Sequence, residues 1–125
     1  MAQLIKVQLT AEELATGEVV ISGSKGKVFL PRGSGEHIFW FELDDNTTRN
    51  VQFNGFGAQR GENCPTQPVN NVKRQIYDVQ FAGTNASFKD KNNNDGVLRF
   101  CYTWFFICNN GQTPIFDPII DNGGK

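Results

Sequence analysis

His37 is the one histidine in the chain, and Cys64, Cys101 and Cys108 are its three cysteines. A nucleophilic site needs a base beside the nucleophile and a third group to orient that base. Cys64 is the one imaginable nucleophile, yet nothing in the spacing places it beside His37. The histidine alternates with Phe39, Phe41 and Leu43, so it reads as a partly buried strand residue. A lone histidine and the absence of any Cys-x-x-Cys argue against a zinc site. Cys101 and Cys108 are seven positions apart. On one strand they face opposite sides, roughly 20 Å from each other, and cannot pair together. Cys64 could in principle reach one of them. The odd count nevertheless favours three reduced thiols, with Cys101 and Cys108 behaving as small buried residues.

Other polar clusters invite a chemical reading and fit it poorly. Asp90, Asn92 and Asn94 alternate as in a calcium loop, but Gly96 arrives one residue late and Cys101 stands where the closing glutamate belongs. A hairpin turn ending in Asp95-Gly96 is the expectation, and a single calcium ion on Asp90 and Asp95 is the alternative. Gly23-Ser24-Lys25-Gly26-Lys27 and Pro31-Arg32-Gly33-Ser34-Gly35 are basic and glycine-rich, but neither follows the phosphate-loop pattern. They read as solvated turns, with a weak anion site as the rival. Asn46-Thr47-Thr48 and Asn85-Ala86-Ser87 fit glycosylation acceptors and read as chance matches. No cofactor and no metal are expected, and no catalytic constellation stands out.

The stretch 54–71 is the best site candidate. Asn54, Phe56, Gln59, Arg60, Glu62, Asn63 and Gln67 bring aromatic, amide and guanidinium groups together, a set suited to binding a peptide or a sugar from a sandwich loop. The competing reading is an ordinary long crossover between two sheets.

These residues need a scaffold, and the scaffold centres on 97–108. By parity Leu98, Phe100, Tyr102, Trp104 and Phe106 share one face, while Arg99, Cys101, Thr103, Phe105 and Ile107 share the other. A strand apolar on both sides belongs mid-sheet, covered on both faces or nearly so. Gln3–Leu9 reads as a first strand, and Thr10–Gly17 as a helical turn with a capping box formed by Thr10 and Glu13. Two short strands, Glu18–Ser22 and Lys27–Leu30, read as a hairpin. Glu36–Leu43 is a strong strand whose Trp40 should give it a large core payload. Thr48–Phe53 reads as a further strand, and Gly55–Asn71 as loop. Val72–Ala82 and Ala86–Lys89 follow as strands. Thr113–Ile120 is the last, confined by Pro114 and Pro118 to an edge or a bulge, and 121–125 reads as a frayed tail.

Short strands spaced by turns argue a single all-β domain over residues 1–125, an antiparallel sandwich rather than a closed barrel. Charge is near balance, with 12 Lys and Arg against 13 Asp and Glu and an isoelectric point near 5.8. This speaks against nucleic acid as a partner. No apolar run of 18 residues suggests a membrane span. Met1–Lys6 lacks a basic stretch followed by a long apolar one, so the expected location is the cytoplasm.

The C-terminal third reads Phe100-Cys101-Tyr102-Thr103, then Asn110-Gly111, then Phe116-Asp117-Pro118-Ile119-Ile120-Asp121-Asn122. This aromatic strand, tight turn and closing Asp-Pro-x-Ile strand resemble the bacterial DP-EP family over roughly residues 96–122, although no Glu-Pro dipeptide occurs in the chain. More faintly, the closing strand is similar to that of bacterial inclusion-body proteins of the PixA/AidA type. The DP-EP resemblance implies an immunoglobulin-like β-sandwich, here of about seven to nine strands, and implies almost nothing about activity. Asp117 and Pro118 carry it. On physical grounds Pro118 cannot serve a central ladder, and the Asp117 carboxylate is suited to capping a loop N–H, with ligand binding the lesser reading. The function expected is that of a non-enzymatic module binding another protein or a second copy of itself. The alternative is a carbohydrate-binding, lectin-like domain.

Overall fold

A computed structural model describes residues 3–24, 27–93 and 99–124, with side chains described through 120. The chain is an all-β sandwich with ten strands among the described residues: β1 (Gln3–Glu13), β2 (Val19–Gly23), β3 (Val28–Pro31), β4 (His37–Asp45), β5 (Gln52–Arg60), β6 (Ile76–Ala82), β7 (Asn85–Asp90), β8 (Arg99–Ile107), β9 (Ile115–Phe116) and β10 (Ile119–Gly124). One sheet has the order β2-β1-β4-β7-β6. The other runs β3-β10-β8-β5, with β9 also paired to β8. Neighbours are antiparallel except β1 with β4 and β3 with β10.

The core is an aromatic layer between the sheets. Phe100, Tyr102, Trp104 and Phe106 of β8 are fully buried, as the alternation requires. They meet Phe41 and Phe88 from the facing sheet, with Phe41 edge-on to Trp104 at 5.4 Å and Phe88 edge-on to Tyr102 at 5.1 Å, and Phe39 stacks on Phe88 behind them. Such pairs add roughly 0.5–1.5 kcal/mol each beyond area burial. The other face of β8 is covered only in its middle. Cys101 and Thr103 are fully buried, Phe105 is half-buried, and Ile107 is exposed.

Several expectations are corrected. No helical turn interrupts the N-terminal strand: β1 continues to Glu13, because Ala11 keeps the buried face in step with Val7 and Leu9. The turn comes later, closed by Leu14 N–H to Glu18 C=O at 2.8 Å. β2 and β3 form no hairpin; they sit in different sheets, β2 beside β1 and β3 beside β10. Residues 46–51 are not strand, and β5 begins at Gln52. β6 begins at Ile76, after a turn in which Gln75 and Ile76 N–H reach Val72 C=O. Trp40 lies on the outer face, 38% exposed, and adds little to the core. The closing segment divides at Asp117-Pro118: β9 pairs only with β8 and is irregular as the prolines require, while β10 lies between β3 and β8 and runs on through the supposed tail to Gly124. Ten strands also exceed the expected seven to nine. The expected turn at Asn94-Asp95-Gly96 lies outside the described residues.

Candidate functional site

Gly55 and Gly57 lie within β5, not in a loop, and both are buried. They pair with Phe105 and Thr103 on the outer face of their sheet. A Cβ on Gly57 would lie 2.6 Å from the Gln67 carbonyl oxygen and 3.0 Å from Pro65; one on Gly55 would lie 3.3 Å from Pro68. The bare backbone therefore admits the following loop directly onto the sheet. Thr103 Oγ1 donates to Pro65 C=O at 2.9 Å, and Cys64 is disulfide-bonded to Cys101 with their Cα atoms 4.9 Å apart, inside the ordinary span for such bonds. The expectation of three reduced thiols is corrected: the loop carries Cys64 onto the outer face of β8, where Cys101 points. Cys108 alone is free and is buried; burial, then the nearby Asp45 carboxylate, push its thiol pKa up.

The loop next wraps round the edge of β5. Ala58 N–H donates to Val69 C=O at 3.1 Å, and Asn71 N–H donates to Ala58 C=O at 2.8 Å. Asn70 Oδ1 accepts from Val72 N–H, and its Nδ2 donates to Ile76 C=O. The chain then enters β6 in the opposite sheet.

Between β5, this loop and β6 lies an open groove of about 570 Å³. Phe56, Ile76, Val79 and Phe81 form its apolar lining, with Pro68 on the loop side; Asn54, Asn70, Lys73, Tyr77 and Asp78 supply polar groups. β6 is bulged here. Asp78 has φ 52°, and the register with β7 shifts between Tyr77 and Gln80. The extra residue re-aims the side chains that follow. Gln80 Nε2 and Lys89 Nζ both reach the Asp78 carboxylate, at 2.9 and 3.2 Å, and hold its pKa below the usual carboxylate value.

The sequence candidates divide. Asn54 and Phe56 line the groove, although Phe56 is buried and also packs on Phe88 and Trp104. Gln59, Arg60, Glu62 and Asn63 do not line it. They stand at the far end of β5 and the turn beyond, where the Gln59 amide donates to Asn63 C=O and Glu62 pairs with Arg99 at 3.0 Å. Sequence reasoning missed Lys73, Tyr77, Asp78, Val79 and Phe81. No local signal marked them, because Asp78 and Gln80 alternate regularly with Tyr77, Val79 and Phe81.

Other candidate positions have structural partners. His37 is buried, its Nδ1 2.9 Å from Gly35 C=O, in the sheet opposite the one Cys64 covers. Asp90 and Asn92 are buried; Asn92 Nδ2 donates to Pro31 C=O and Ser34 Oγ, both at 2.8 Å, and so ties down the glycine-rich loop 31–35. Asn94, Asp95 and Gly96 lie outside the described residues. Among the described residues no group of three or more His, Cys, Asp or Glu side chains could hold a metal ion. Asp117 is exposed and caps no loop N–H among the described residues, which corrects the role expected of its carboxylate. Its backbone is what is used: with Pro118 it parts β9 from β10, and Pro118 C=O accepts from Tyr102 N–H at 3.2 Å.

A second, smaller hollow of about 210 Å³ adjoins Trp40, with Gln80, Asn85 and Ser87 among its lining. Among the described residues no helix is long and apolar enough to cross a membrane. Compared with protein-family models the chain matches none, and a search of the curated proteins likewise finds no match.

Proposed function

We propose that the protein is a non-enzymatic binding module that holds an extended segment of another protein in the groove between β5 and β6. The observation that carries this reading is the lining: four apolar side chains flanked by two amides, a lysine and a carboxylate, on a cleft open to solvent. Apolar recognition with a few orienting polar groups is what a peptide site requires. Kinship with the DP-EP proteins belongs to the same proposal, supported by the sandwich and the Asp117-Pro118 break. The test is selection of peptides from a random library on the intact protein. Selected peptides should carry an apolar anchor. Val79→Asp and Phe81→Ala should each weaken them about tenfold or more, since burying an apolar side chain is worth roughly 1.5–3 kcal/mol. Peptides indifferent to both changes would remove the groove from the reading.

One observation favours a lectin-like alternative. Trp40 presents an exposed ring beside Gln80, Asn85 and Ser87, and an indole flanked by amides and a hydroxyl suits a sugar ring. Binding on a glycan array that Trp40→Ala abolishes would favour this reading over the peptide groove.

A further inference from the structure

The geometry points to Cys64 and Cys101 as a reversible redox modification site that sets the order of the groove's loop wall. This inference rests on the groove reading for its consequence, but not for its chemistry. Pro68 and Asn70, on the loop side of the groove, lie on the same segment as Cys64. The bond joins that segment to β8, whose residues Phe100 to Trp104 are all fully buried. Four further ties hold the segment: Thr103 to Pro65, Ala58 to Val69, Asn71 to Ala58, and Asn70 to Ile76. Each is a single hydrogen bond, of order 1 kcal/mol net. The disulfide is the one covalent anchor among them.

The reduced state would find partners at this place. Cys64 Sγ lies 3.1 Å from Asp117 C=O, and Cys101 Sγ lies 3.1 Å from Pro118 C=O and 3.5 Å from Asp117 C=O. These carbonyls are turned toward the sulfurs where Asp117-Pro118 interrupts the closing strand. On reduction each new thiol has an acceptor, so neither is left as an unpaired buried donor. Access is one-sided, because Cys101 is fully buried while Cys64 is only half-buried. Exchange therefore begins at Cys64. A thiolate of an external dithiol attacks Cys64 Sγ, and the Cys64–Cys101 bond breaks. Cys101 leaves as thiolate and takes a proton. The second thiol of the reductant then displaces Cys64, which leaves as a thiol, and the reductant departs as its own disulfide. Two electrons and two protons have moved. The return step uses a disulfide oxidant such as oxidised glutathione.

The experiment compares the intact protein after oxidised glutathione and after dithiothreitol. Alkylation in denaturant should tag one cysteine in the oxidised form, Cys108, and all three in the reduced form. Hydrogen exchange at the Ala58 and Asn71 amides reports the docked loop. Those amides should exchange roughly tenfold faster when reduced, while the Phe39 amide on β4, the central strand of the opposite sheet, stays unchanged. Cys64→Ser should exchange at the reduced rate with or without reductant. Three tagged cysteines after glutathione disulfide would overturn the proposal, as would equal exchange in the two states. A selected peptide should bind more weakly to the reduced form, and equal affinity in both states would overturn the link to the groove. Failure to select any peptide sinks the groove reading, while the cysteine count and exchange rates still decide the redox site.

Discussion

Tyr102 is fully buried on the inner face of β8, and its hydroxyl has no hydrogen-bond partner among the described residues. Burial pushes its pKa well above the ordinary value. A buried hydroxyl without a partner carries its desolvation cost uncompensated, about 1–3 kcal/mol. Tyr102→Phe keeps the ring stacking and deletes that cost. It should raise the urea midpoint of unfolding, with a gain of about 1 kcal/mol; a loss of that size would mean that the hydroxyl is satisfied. The ring's position was legible in the sequence, since strict alternation fixed which face of β8 is aromatic. The two tryptophans were less legible. Trp40 and Trp104 both sit mid-strand beside phenylalanines, yet one is exposed and the other fully buried. Parity assigns residues to a face. It does not say which face meets the other sheet when both carry large apolar groups.

At the scale of elements, the glycines of β5 hid the site. Glycine weakens strands, so Gly55 and Gly57 read as loop, and the true loop was placed too early. Their use depends on residues 65–68, which come down on them from above, a tertiary fact with no local signature. Gly57→Ala tests it. The added methyl meets a backbone oxygen rather than a flexible side-chain tip, so the loop must move. The variant should lose about 1–3 kcal/mol in denaturant unfolding and exchange the Asn71 amide faster than wild type. Unchanged exchange there would show that the close approach is not holding the loop. The 46–51 connection has its own anchor in Asp45. Its carboxylate accepts from Thr47 N–H at 2.9 Å, Thr47 Oγ1 at 2.6 Å and Val51 N–H at 2.9 Å. Partial burial pushes this carboxyl's pKa up, but the three donors outweigh it and hold the pKa below 3.8. A depressed folded pKa gives stability that is complete above the unfolded value and lost as pH falls through the folded one. Asp45→Asn should therefore be less stable than wild type at neutral pH and show a smaller loss below about pH 4, as read from urea midpoints across pH. Parallel acid limbs would exclude Asp45 as a source of the acid sensitivity.

At the scale of the whole molecule, the two halves of the expected function part company over the sheet edges. Self-assembly of a sandwich by strand addition needs an open, flat edge. Beside the two-residue β9, which pairs only with β8, four strands end the two sheets: β2, β3, β5 and β6. Two are short, β2 with five residues and β3 with four, and β3 ends at Pro31. The edge of β5 is occupied at Ala58 by the 69–71 segment. The edge of β6 is bent by the positive-φ bulge at Asp78. β2 and β3 are blunted by their length, and pairing through β5 or β6 would have to displace the 69–71 segment or undo the bulge at Asp78. The same devices build the groove, since the segment that covers β5 contributes Asn70 to it and the bulge in β6 sets the side chains opposite. On the proposed reading the cleft between two blunted edges takes a foreign segment, and strand addition between copies is disfavoured. The chain should accordingly sediment as a monomer of 14.0 kDa, at neutral pH and across the concentrations used for solution NMR. It should do so in the oxidised form, in which the disulfide keeps the 69–71 segment docked on the β5 edge. A concentration-dependent dimer abolished by Val79→Asp would place a second copy in the groove. One indifferent to that change would return self-assembly to another surface, for which the exposed Phe29 of β3 is the first residue to replace.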